Sequence, residues 1–376
     1  MLTTDVTPAA ANRNITHEDF LDQIRRVEPA DTPVYSFSKT IVKLKATERK
    51  WNVDLFPGPK GAVGRADGTD AGTGRNWSSN MRPVSNLAQG FDEQFGIGWI
   101  ADSVPQIAGV SDPLAYSKAS AYMLLKQHTE VAIESSDQVA VVESAGIGSL
   151  FASYKSMIDP ANAYTAATAF ATGKAPDNCS APSGAMLTGA MTSVVTRAAF
   201  KTIALALRQT AKREKRWMLA AGLSLRQQIT DMTLPAQVTV TATAATAQAS
   251  IAPTALTVYT RAEDDATLGA SIDIIVTDWG QIRVIPTDYI GTTTTSSAGT
   301  AITNVNSAAT ARALSTWITK PKYGLIFDPE NLFFQWGVPF FTEELGRTGS
   351  GRTFDSKGYC MLGVSNTSLG GYLTLT

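Results

Sequence analysis

His17 and His128 are the only histidines in the chain, and they fall on unrelated segments. A histidine-based triad, a multi-histidine metal site or an imidazole acid/base pair has too few parts here. His128 falls in the apolar stripe of a predicted helix, where the expectation is a hydrogen-bonded interior or interface histidine. Cys179 and Cys360 are the only cysteines; so far apart, they make neither a zinc ligand set nor a disulfide framework, and both are read as reduced thiols. Gly346-Arg347-Thr348-Gly349-Ser350-Gly351-Arg352 has the glycines of a phosphate loop, but no Gly-Lys-Ser/Thr follows and no strand-loop-helix context surrounds it, so it reads as a turn. In Asp67-Gly68-Thr69-Asp70-Ala71-Gly72-Thr73-Gly74 the carboxylates miss the alternate spacing and closing glutamate of a calcium loop, which leaves a glycine-rich loop. The consecutive carboxylates Glu263-Asp264-Asp265 and Glu343-Glu344 fit a solvated face. A glycosidase pair meets in space rather than along the chain, so a carboxylate-dependent carbohydrate-active enzyme stays open as an alternative. The inventory favours a protein that is not an enzyme and that needs no cofactor or metal.

The elements that would position these residues belong to a globular chain. Of 376 residues, 44% are hydrophobic and 17% charged, enough apolar material for two domains and too much for disorder. With 32 basic against 33 acidic side chains the net charge is -1, which gives no electrostatic footprint for tight binding of nucleic acid or anionic membrane. The N-terminus lacks the basic and apolar regions of a secretory signal, and no apolar run of about 18 residues occurs elsewhere. The expectation is a protein that starts in the cytoplasm and has no membrane partner. The sequons at Asn14, Asn76, Asn178 and Asn366 carry no weight in that setting.

Residues 1–45 show no sustained period and contain Pro29 and Pro33, as suits an extended arm packed on other structure. A strand-like stretch from Thr47 to Phe56 gives way to Pro57-Gly58-Pro59 and glycine-rich sequence to Gly74. A returning segment runs from Arg82 to Val104, with Phe91, Phe95, Ile97 and Trp99 in alternation. Together these predict a long two-stranded excursion, marginal unless it lies against a neighbour. Asp112 and Pro113 open a helix predicted to run to about Val142. Ala121, Leu124, Leu125, Val131, Ala132, Val139 and Val142 form its apolar stripe, with Lys126, Glu130, Glu134 and Asp137 opposite and Lys126 paired to Glu130. Residues 144–186 read as a wandering connection with short helical pieces. A buried helix is predicted over about Leu187–Thr210, followed by the basic run Lys212, Arg213, Lys215 and Arg216 as a solvated connector. A strand Trp217–Ala221 and a short helix to Asp231 come next. Strand-like segments lie at 238–243, 256–261, 272–276, 281–285, 325–341, 358–364 and 371–375, with Asp278-Trp279-Gly280 as a hairpin turn.

In this order the chain resembles the major capsid proteins of tailed bacteriophages with the Hong Kong 97 fold. The residues that carry the resemblance are Trp51-Asn52-Val53-Asp54, Asn86-Leu87-Ala88-Gln89-Gly90-Phe91, then Gly109, Tyr116, Lys118, Glu130 and Glu134. Further along, Thr277-Asp278-Trp279-Gly280-Gln281-Ile282 and Gly363-Val364-Ser365-Asn366 continue it. The motifs are short, and they recur in family order over most of the chain; residues 144–186 match poorly, and 292–319 look like an insertion.

The resemblance implies an α+β fold with an N-terminal arm (1–45) and an E-loop hairpin (46–106). It further implies a P-domain spine helix and connection (107–187), an A-domain with a Thr-rich insertion (188–320), and a C-terminal β region returning to the P-domain (321–376). It implies a virion protein assembled in the host cytoplasm into hexamers and pentamers of an icosahedral head around double-stranded DNA, contacted weakly and non-specifically. Portal and scaffold or decoration proteins would be further partners. The candidates for contacts between subunits are Trp51, Lys60, Arg65, Arg75, Phe91 and Trp99. Some relatives crosslink an E-loop lysine to an asparagine of a neighbour; Lys60 is suitably placed, although a solvated lysine is the default. An encapsulin-like shell around an enzyme cargo is the alternative that keeps the fold.

Overall fold

The computed structural model describes residues 32–41, 43–54, 81–98, 112–143, 148–164, 170–191, 196–212, 215–231, 274–293, 317–319, 322–346 and 351–375. In chain order its elements begin with α1 (Pro33–Phe37), β1 (Lys39–Ile41), β2 (Glu48–Asp54), β3 (Met81–Leu87), β4 (Gln89–Ile97), α2 (Pro113–Glu134) and α3 (Tyr154–Ile158). They continue with β5 (Met186–Met191), α4 (Arg197–Ala211), β6 (Arg216–Ala221), α5 (Leu223–Asp231), β7 (Ile274–Thr277), β8 (Gly280–Pro286) and β9 (Gly291–Thr293). The last are β10 (Trp317–Thr319), β11 (Tyr323–Phe327), β12 (Leu332–Glu344), β13 (Arg352–Val364) and β14 (Gly370–Leu375). Among the described residues the chain forms two compact units. Asp92–Leu125 and Phe340–Lys357 make the smaller one, and the remainder make the larger.

The core of the larger unit is a six-stranded mixed sheet in the order β5-β14-β11-β6-β8-β7. Along β8, Ile282 and Val284 are buried while Gln281 and Arg283 are exposed, the alternation of a sheet with one face covered. The cover is α4, whose Phe200, Ile203, Ala204 and Leu207 pack with Trp217, Leu219, Leu225 and Ile229. Each such fully buried large side chain contributes about 1.5–3 kcal/mol relative to exposure. Thr196 starts α4 by accepting the Ala199 amide, and Lys212 ends it in the left-handed conformation at φ 58°. The β7–β8 turn forms as expected: Thr277 donates its hydroxyl to Gly280 O and accepts the Trp279 amide, and Gly280 takes φ 148°, which a side chain would resist. Asp278 pairs with Lys201 at 2.9 Å, tying this turn to α4.

Several expectations change. Residues 186–191 are strand β5, parallel to β14 with Met186 opposite Tyr372, where the apolar pattern predicts the start of a helix. The long helix stops at Glu134 instead of Val142. Ser135 bridges Gly291, Ser136 N–H donates to Gly291 O, and the Ser135 hydroxyl takes the Gln138 amide, so the backbone leaves the helical ladder; Val139 and Val142 are exposed. His128 is exposed in the single chain, which removes the interior half of its interior-or-interface expectation. Lys215 is no solvated connector: with only 11% of its side chain exposed, it forms an ion pair with Asp328, itself 4% exposed. Asp328 also opens the turn that divides the expected strand 325–341 into β11 and β12, accepting the Glu330 and Asn331 amides.

The second sheet runs β1-β12-β13-β4. In the smaller unit Phe95 stacks on Phe354 at 5.4 Å, and Arg352 grips Glu344 with two hydrogen bonds of 3.0 and 2.8 Å. Lys357 pairs with Glu343, which raises the lysine above its ordinary pKa. Thr342 is hydrogen-bonded to Tyr122 and to Ser356. The segment read as an insertion leaves from paired ends, Thr293 opposite Trp317 and Gly291 opposite Thr319.

Candidate assembly site

β2 and β3 form a two-stranded antiparallel ribbon paired from Glu48 with Leu87 at the root to Asp54 with Met81 at the far end. Burial falls along β3, while on β2 Val53 is buried close to the far end. Val84 to Ala88 are buried at the root, and Met81 is 47% exposed. Residues 55–80 lie outside the described residues, and with them Lys60, Arg65 and Arg75; Trp99 lies outside them as well.

An isolated ribbon is marginal in water, so its root needs anchors, and Asn86 supplies the principal one. Its buried side chain accepts the Ala152 amide at 2.8 Å and donates to Ala152 O at 3.2 Å and Leu362 O at 2.8 Å, bonding one residue from both sides as a strand neighbour would. Beside it, Gln89 Oε1 accepts from the Gln138 side chain and the Phe151 amide, and Ser149 donates to Ala88 O. Trp51 donates its indole N–H to Val364 O at 3.0 Å and meets Phe333 edge-on at 5.7 Å, over a cluster of Leu44, Ala88, Phe333 and Met361. Phe91 is buried against Phe151 at 6.1 Å. Of the six contact candidates, the described pair, Trp51 and Phe91, therefore lie at the ribbon root, making contacts within their own chain.

Tyr164 and residues 170–173 pack against the ribbon. Gly173 N–H donates to Ser85 O at 2.8 Å, the Tyr164 hydroxyl bonds Pro83 O, and Lys50 lies over the Phe170 ring at 4.7 Å. Ser85 and Thr172 both donate to Glu48 Oε1. A bare strand edge would invite pairing with another chain along its whole length; here Gly173 and Tyr164 take Ser85 O and Pro83 O.

The N-terminal segment docks beside this root. β1 joins β12 in parallel, Lys39 opposite Phe333, and Leu44 N–H continues to Trp336 O. α1 begins with Pro33 at its first position, where no amide is wanted. Its free Val34 and Tyr35 amides are taken at 2.7 Å each by the two oxygens of Glu130, on α2. Glu130 and Glu134, expected on the solvated face of the long helix, are both fully buried. Periodicity could not reveal this, because the partners of Glu130 lie 95 and 96 residues away.

The two thiols are interior. Burial pushes Cys179 up to about 11 and Cys360 higher still, so neither is a nucleophile at neutral pH. Among the described residues no cluster of three or more His, Cys, Asp or Glu could hold a metal, and no helix is long and apolar enough to cross a membrane.

Solved capsid structures share this architecture. The cyanophage A-1(L) capsid subunit is 12% identical over 99% of each chain with a TM-score of 0.59. That of cyanophage P-SCSP1u is 10% identical over 97% of this chain and 94% of its own, at 0.51. The capsid of a native GTA particle is 10% identical over the full length of both, also at 0.51. No curated protein sequence matches the chain. The fold is thus that of a phage capsid subunit of the Hong Kong 97 type. The family profile is more specific: it matches residues 3–367, and the chain belongs to the SU10 major capsid protein family. It is a structural subunit of the virion that works by associating with copies of itself.

Proposed function

We propose that this chain builds the wall of an icosahedral head as hexamers and pentamers that enclose double-stranded DNA, with the anchored ribbon as the clamp between neighbours. The observation that carries this is the ribbon itself, fixed at its root by Asn86, Gln89 and Trp51 while its far end leads into residues 55–80. A rigid root turns a weak excursion into a lever whose ordering cost is met before assembly. Lys60, Arg65, Arg75 and Trp99 are the candidate contacts with the next subunit, and Trp51 and Phe91 hold the root from which they reach. In the same reading the arm is 1–45, the E-loop 46–106, the P-domain spine helix and connection 107–187, the A-domain 188–320, and the returning β region 321–376.

Assembly in the host cytoplasm, with portal and scaffold or decoration proteins, belongs to the same reading, and packaged DNA is contacted weakly because the net charge is only -1. Deleting residues 60–74 tests the clamp. The expected result is a folded subunit with native circular dichroism that no longer yields closed particles by light scattering and negative-stain microscopy. Closed particles at normal yield and stability would reject residues 60–74 as the clamp.

A further inference from the structure

We propose that Glu130 and Glu134 share one proton and form a pH-sensitive latch that holds the 32–38 segment against α2, closed while the proton is present and released when it leaves. The two side chains project from the same face of the helix one turn apart, and both are completely buried. Glu130 spends an oxygen on each of two amides, Val34 and Tyr35. Glu134 accepts the Thr287 hydroxyl on Oε2 at 2.6 Å, while its buried Oε1 has no hydrogen-bond partner among the acceptors around it. A buried carboxylate oxygen in that position is costly when ionised and becomes useful when protonated, because it can then donate to the Glu130 carboxylate.

The charges around the pair work in the same direction. Desolvation holds Glu134 well above the usual carboxylate range; the Glu130 charge and the more distant Asp288 raise it further, and the Thr287 hydroxyl opposes them. The two charges that raise it, Glu130 and Asp288, are both negative. From the 287–291 segment Tyr289 also faces the pair and is itself raised by burial, then by Glu130, against a hydrogen bond from Gln127 on α2. From the N-terminal segment the titratable group is Tyr35, raised by burial and by Cys360 of β13. Losing the proton leaves two buried anions one turn apart, and the cheapest relief is for the 32–38 segment to leave and admit water to Glu130.

The sign follows from linkage. The closed form binds a proton that the open form releases in the ordinary glutamate range, so closure is complete below that range and lost as pH rises through the raised pKa. Hydrogen exchange on the purified full-length protein, corrected for intrinsic rates, reads this directly. The protection of the Val34 and Tyr35 amides is expected to fall by about tenfold per pH unit as the pH rises from the ordinary glutamate range toward the raised pKa. In Glu134→Gln the amide donates to Glu130 and accepts from Thr287 without ionising, so protection should stay high and flat with pH. Wild-type protection that does not change with pH, or a Glu134→Gln protein with the same slope as wild type, overturns the latch. The infrared band of a protonated carboxyl group in the wild type at neutral pH gives an independent reading that needs no variant. Its absence overturns the shared proton, even if Glu134→Gln does not fold.

Discussion

Asn86 does with one amide what would otherwise take another strand, bonding both the N–H and the C=O of Ala152 and reaching Leu362 O as well. Truncation to alanine strands three buried backbone groups, each costing about 1–3 kcal/mol when unpaired, less whatever water recovers. Asn86→Ala should therefore destabilise the protein by about 2–4 kcal/mol in chemical denaturation. It should also open the ribbon root to proteolysis between Glu48 and Leu87. Asn86→Asp keeps the shape but aims an acceptor at the Ala152 and Leu362 carbonyls, and should be no better tolerated. A stable Asn86→Asp protein would show that shape, not donation, is what the site needs. The sequence made Asn86 visible only as part of a family motif; its chemistry depends on residues 66 and 276 positions away. The buried pair Glu130 and Glu134 was hidden for the opposite reason. Their three- and four-residue spacing from Lys126, Gln127 and Asp137 gave a plausible polar face, and sequence pattern carries no sign of which face another segment will cover.

At the level of elements, local signals were reliable where turn or cap chemistry backed them. Asp112 accepts the Leu114 and Ala115 amides at 3.0 Å, as the helix start required, and Asp278-Trp279-Gly280 turns β7 into β8. They misled where only hydrophobicity spoke: 186–191 became a strand, and Val139 and Val142 did not extend α2. The closing motif Gly363-Val364-Ser365-Asn366 is where sequence and packing meet. A Cβ at Gly363 would sit 2.2 Å from the Phe333 ring, so the Phe333 side chain of β12 lies over β13 at a place that favours glycine. Asn366 then fastens the turn, its amide donating to Asn331 Oδ1 at 2.6 Å while its own Oδ1 accepts from Ser368. Gly363→Ala should cost about 1–3 kcal/mol through overpacking and lower the thermal midpoint. Phe333→Leu opens space at the same spot, so the double variant should lose clearly less than the sum of the two singles in a mutant cycle. Simple additivity would mean that the strands shift apart and the ring is not the obstacle.

On the scale of the whole molecule, the nearly balanced charge and the exposed apolar side chains bear on how copies meet. With 32 basic and 33 acidic residues, neither long-range repulsion nor long-range attraction between copies is strong, and over a Debye length of about 10 Å at 0.1 M salt little of it survives. Association must then come from short-range burial. The described surface offers apolar groups for it, including Ile274 and Val276 along β7, with 54% and 62% of their surface exposed, and Met81 at the far end of the ribbon. Ion pairs such as Arg352 with Glu344 and Lys201 with Asp278 are made within the chain. The yield of closed particles should accordingly change less than about twofold between roughly 0.05 and 0.5 M sodium chloride. Replacing chloride with sulfate, which strengthens apolar burial, should raise it. Light scattering across such a series decides between the two kinds of contact. A collapse of yield as chloride rises would show that charge complementarity holds the shell together, and would move attention from the apolar edge of β7 to Lys60, Arg65 and Arg75 in the ribbon loop.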